Sequence, residues 1–98
     1  MEERTKVYVA VEADFQPDGK ILPRSVIWED GRKYPIDRVT DIRRAASLRA
    51  GGIGIRYTVR IGRSTTWLFL EDNRWFVERR SAGSGTRLPR LVNPGNMA

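Results

Sequence analysis

GGIGIRYTVRIGRSTTWLFLEDNRWFV, residues 51–77, is the stretch whose reading decides the fold. From Ile55 the side chains alternate: Ile55, Tyr57, Val59 and Ile61 fall on one side, and Arg56, Thr58 and Arg60 on the other. A period of two belongs to a strand with one face turned to a core. Gly62-Arg63 suits a two-residue type II′ turn, because glycine accepts the positive φ needed at the first position. Counting outward from that turn sets Val59 opposite Thr66 and Tyr57 opposite Leu68. A second tight turn at Asp72-Asn73 sets Leu70 opposite Trp75, Leu68 opposite Val77, Phe69 opposite Phe76 and Trp67 opposite Glu78. Two faces result. Tyr57, Val59, Leu68, Leu70, Trp75 and Val77 form a core face, while Arg56, Arg60, Trp67, Phe69 and Phe76 share a second face of mixed aromatic and arginine character.

The rest of the chain extends this pattern toward the N-terminus. Val7, Val9, Val11 and Ala13 alternate with Tyr8, Ala10 and Glu12 as in a half-buried strand. Pro17, Asp18 and Gly19 supply a turn. The run from Ile21 to Glu29 is β-rich, with Pro23 near its start, where a missing amide is tolerated. Asp30-Gly31 is a two-residue hairpin signal that pairs Trp28 with Lys33 and Ile27 with Tyr34, and Pro35 places that part of the third strand at an edge or a bulge.

Residues 37–49 admit two readings. Val39, Ile42 and Ala46 are spaced for one face of a helix that Asp37 would cap and Gly51-Gly52 would end. A long bent strand is favoured, because the segment lies between two hairpin units and Gly52-Ile53-Gly54 also serves as a loop. If this strand pairs with the next so that Ile42, Ala46 and Leu48 face the core, Arg43 joins the second face. The expectation is an all-β domain over residues 1–80, of about six antiparallel strands in meander order, curled into a small SH3-like or related barrel. Residues 81–98, with only Leu88, Leu91 and Val92 as apolar anchors, read as a flexible or docked tail.

WEDGRKYPIDRV at 28–39, RYTVRI at 56–61 and WFVE at 75–78 resemble a family of small uncharacterised bacterial proteins, mainly clostridial. The resemblance spans most of residues 7–78. It implies an all-β domain and assigns no activity and no functional residue.

Composition narrows the chemistry. His and Cys are both absent from the 98 residues, so no Ser-His or Cys-His nucleophile can be built. The acid pairs Glu29/Asp30 and Glu71/Asp72 sit at hairpin turns, where Asp is favoured for backbone reasons. DFQPDGK at 14–20 lacks the alternating oxygen ligands of a calcium loop, and Gly51-Gly52-Ile53-Gly54 is not followed by the Lys-Ser/Thr of a phosphate loop. No catalytic, metal or cofactor residue is assigned, and no small-molecule substrate is evident. No apolar run approaches the roughly 20 residues that cross a bilayer, and the N-terminus has acids where a signal peptide carries positive charge. The chain is read as cytoplasmic.

The net charge is +6, with arginine outnumbering lysine fifteen to three. Seven arginines and one acid, Asp41, lie between residues 38 and 63. That ratio suits bidentate recognition of phosphate or carboxylate; a coding bias of the genome produces the same ratio. The second face, Arg43, Arg56, Arg60, Trp67, Phe69 and Phe76, is the one constellation with functional promise. As an exposed surface it offers phosphate contacts beside rings on which unpaired bases stack. As a covered surface it is packing, or the interface of a homodimer. The expected function is a non-enzymatic protein-interaction module, with binding of single-stranded nucleic acid as the alternative.

Overall fold

The computed structural model describes residues 4–45 and 54–80, and every regular element among them is a strand. The strands are β1 (Arg4–Tyr8), β2 (Ala10–Phe15), β3 (Ile21–Ile27), β4 (Lys33–Pro35), β5 (Arg38–Ala45), β6 (Gly54–Ile61), β7 (Ser64–Glu71) and β8 (Arg74–Arg80). The fold is all-β, and every pairing is antiparallel. Five strands form one sheet in the order β1-β8-β7-β6-β5, and three form a second in the order β2-β3-β4. The tail expected at 81–98, and Ala46, Leu48 and Gly51-Gly52, lie outside the described residues. No helix among the described residues is long and apolar enough to cross a membrane.

Among the described residues there are thus eight strands where about six were expected, and the two sheets do not close into a barrel. The reason is local. The alternating N-terminal run breaks at Val9, whose N–H donates to Trp75 O at 3.0 Å. Before that point β1 pairs with β8, and after it β2 pairs with β3. The third run breaks at Ile36 and Asp37, whose amides turn to Arg24 O and Arg60 O respectively, each at 2.8 Å. Strands that bend and change sheets make the corners of packed β layers.

Val7, Val26, Trp28, Tyr57, Val59, Leu68 and Val77 fill the space between the sheets, with Leu70 and Trp75 partly buried against them. The core face counted from residues 51–77 is therefore the face that meets the three-stranded sheet. Both counted registers hold: Tyr57 pairs with Leu68 and Val59 with Thr66, while Leu70 pairs with Trp75 and Phe69 with Phe76. Gly62 has φ +59°, and Asp72 and Asn73 have φ +51° and +63°, the values that two-residue hairpin turns demand.

Two local readings are corrected. The hairpin at Asp30-Gly31 is one residue longer than a two-residue turn: Gly31 N–H donates to Trp28 O, and Trp28 N–H donates to Arg32 O. Gly31, at φ +86°, follows the turn, as in a type I turn with a glycine bulge. Val26 therefore faces Tyr34 and Ile27 faces Lys33, and Trp28, which closes the hairpin against Arg32, packs in the core. The second correction concerns Gly54, which begins β6 rather than belonging to a loop.

The bent-strand reading of residues 37–49 holds over Arg38–Ala45. The helix-like spacing of Val39 and Ile42 comes from a bulge. Val39 faces Val59 and Asp41 faces Thr58, leaving Thr40 as the extra residue. One extra residue shifts the parity of the strand, so Val39 and Ile42, three apart, both point to the side of the sheet that carries the core, where Val39 packs and Ile42 stays exposed. Asp37 caps no helix; its Oδ2 accepts the Gly62 N–H at 2.7 Å and ties the start of β5 to the β6–β7 turn.

Candidate functional site

The structure brings the six predicted residues onto one sheet but not into one environment. Trp67, Phe69 and Phe76 form a second apolar cluster, with exposures of 6%, 1% and 1%. Phe69 and Phe76 stack with centroids 5.0 Å apart and planes 5° from parallel. Arg56 lies with Cζ 4.4 Å from the Trp67 ring centroid. Arg60 is exposed and donates from Nε to Gly62 O. Arg43 is exposed, its Nε 2.8 Å from Asp41 Oδ2. With Phe69 and Phe76 covered, a base stacks on neither ring without displacing what lies over it.

Sequence counting missed the residues that β1 adds. Lys6 faces Glu78 and Tyr8 faces Phe76. The Lys6 ammonium sits 4.3 Å from the Phe76 centroid and 3.7 Å from Glu71 Oε1. Tyr8 meets Phe76 edge-on at 5.7 Å, and Arg74 Cζ lies 3.6 Å from the Tyr8 ring. Cations thus sit over Phe76, Tyr8 and Trp67, each interaction worth about 0.5–2 kcal/mol. Tyr8 and Lys6 alternate with Val7 in the sequence, so their face was legible; their neighbours were not.

A different feature lies where β5 leaves β3. β5 ends the five-stranded sheet, and among the described residues no strand pairs with its outer edge. Ile42, at its centre, is 43% exposed. It borders two cavities of about 470 and 340 Å³, the first floored by Ile21, Ile55 and Tyr57 and the second by Leu22, Pro23 and Val39. The Tyr57 hydroxyl closes the floor by donating to Ile21 O.

Burial raises the Tyr57 pKa above the usual tyrosine value. Because the folded state holds its proton more tightly than the unfolded chain, the stability this group contributes is full below pH about 10 and falls as pH rises past it. Tyr57→Phe is expected to cost about 0.5–1.5 kcal/mol at neutral pH for the lost hydrogen bond and to remove that part of the alkaline loss. Urea titrations at neutral and alkaline pH measure both effects.

Among the described residues no group of three or more His, Cys, Asp or Glu side chains is placed to hold a metal ion. Comparisons with protein-family models, curated proteins and solved structures gave no match.

Proposed function

We propose that the chain is a non-enzymatic protein-interaction module: a small SH3-like barrel left open on one side, whose contact surface is the outer edge of β5. Ile42 carries this reading. It is a large apolar side chain, substantially exposed, on a strand edge with no described neighbour and above an apolar groove. Unpaired amides and carbonyls beside such a side chain are a template for another strand. A photoreactive phenylalanine analogue at position 42 of the full chain is expected to give discrete protein adducts in the cells that encode it. The same analogue at Arg63, an exposed turn position, is expected to give none. Equal labelling at the two positions removes the reading.

One observation favours binding of single-stranded nucleic acid as a second reading. Arg38 faces Arg60 and Arg43 faces Arg56 on adjacent strands, and like charges set opposite each other are destabilising. A phosphate between them relieves that repulsion. With four arginines engaged, the logarithm of affinity for a single-stranded oligonucleotide should fall with the logarithm of salt at a slope of about −2.8. An oligonucleotide that fails to bind even at low salt removes this reading.

A further inference from the structure

We infer that the occupant of the β5 edge is a second copy of this chain, paired antiparallel about Ile42; the inference rests on the interaction reading above. Two copies related by a two-fold axis normal to the sheet set one residue opposite its own copy, because facing residues point to the same side. The charges of β5 and the exposure of Ile42 together decide which residue that is. Centring on Asp41, Arg43 or Arg44 puts identical charges face to face. Centring on Ile42 puts Ile42 against Ile42 of the second copy, Asp41 against Arg43 and Arg43 against Asp41. Of these four registers it alone avoids like charges and joins the exposed isoleucines.

The side chains are already arranged for it. Asp41 and Arg43 project from the same face of β5, ion-paired and solvent-accessible, with side-chain exposures of 39% and 67%. In the two-fold pair these become four alternating charges around the axis. The bulge at Thr40 twists the strand before this segment, so the regular ladder runs from Asp41 onward. The result is a sheet continuous through both copies, with Ile42 removed from water. A contact this short lies at the low end of specific interfaces, so association depends on concentration.

Sedimentation velocity on the full chain, over a concentration series reaching the millimolar range, tests the inference. The wild type is expected to shift from one chain to two. Arg43→Asp and Asp41→Arg should each remain single chains at the highest concentration, because each sets like charges opposite. Mixing these two variants should restore the two-chain species, since every acid again meets an arginine. The doubly exchanged D41R/R43D chain should also pair with itself, which separates loss of pairing from loss of folding. A wild type that stays single, or a dimer that survives either single reversal, overturns the inference. If the wild type stays single while position 42 still forms adducts, the second copy is ruled out and the interaction reading stands; if both fail, both are ruled out.

Discussion

Phe69→Ala is expected to lower the free energy of unfolding by about 3–5 kcal/mol, the usual cost of emptying a buried aromatic site. Phe69 is 1% exposed and lies face to face with Phe76. Removing the ring therefore leaves a void beside Phe76 and forfeits the aromatic pairing, worth about 0.5–1.5 kcal/mol beyond area burial. Domains of this size have total stabilities of about 5–15 kcal/mol, so the variant would be near its limit at room temperature. The magnitude separates two roles for the second face. A ring held out for a ligand would cost a few tenths of a kcal/mol when truncated, since exposed positions change stability by less than about 0.5 kcal/mol. Urea titration decides between them, and a loss below about 1 kcal/mol contradicts the packing role assigned to Phe69.

Gly54→Val is expected to cost at least the roughly 1–3 kcal/mol of an overpacked site, although the sequence around it looks like a permissive linker. A Cβ at Gly54 would overlap the Glu71 side chain and lie 2.5 Å from Leu70 O. The second obstacle is backbone, so it yields only if β7 shifts relative to β6. Gly54 stands where β5, β6 and β7 meet, paired to Ala45 on one side and next to the Ile55–Leu70 pair on the other. Displacing β7 there disturbs the floor of the groove at Ile55. Thermal unfolding of Gly54→Val beside Gly62→Ala checks the reason. At Gly62 a Cβ meets nothing, and only the positive φ is strained. Equal losses at the two positions would show that the close approach at Gly54 is not what excludes a side chain.

Much of the central sheet was legible from residues 51–77, because both hairpin turns there, Gly62-Arg63 and Asp72-Asn73, are two residues long. A turn of known length sets the register by counting, and a period of two then assigns every side chain to a face. The same logic slipped at Asp30-Gly31. The dipeptide also fits a turn with one further residue, in which glycine follows the bend, and composition does not separate the two. Residues 38–45 were ambiguous for a related reason: the bulge at Thr40 gives a strand the apolar spacing of a helix, and a bulge leaves no signature in the residue that is extra.

The candidate surfaces divide along the same line. That Arg56, Trp67, Phe69 and Phe76 share a face followed from local counting. That Lys6 and Tyr8 complete it depends on β1 lying beside β8, a contact between the two ends of the described chain. Local alternation fixes which way a side chain points but not which strand arrives next to it. The open edge of β5 is likewise a property of assembly. It exists because the third run of chain bends at Ile36 and Asp37 and commits its two halves to different sheets, leaving Ile42 beside a gap. Residue spacing and turn chemistry act over a few residues, and so they settled β6, β7 and β8, two registers and the two faces. Which faces are covered and which edge stays free is settled by where bent strands pair across the whole fold, since burial depends on neighbours distant in the chain.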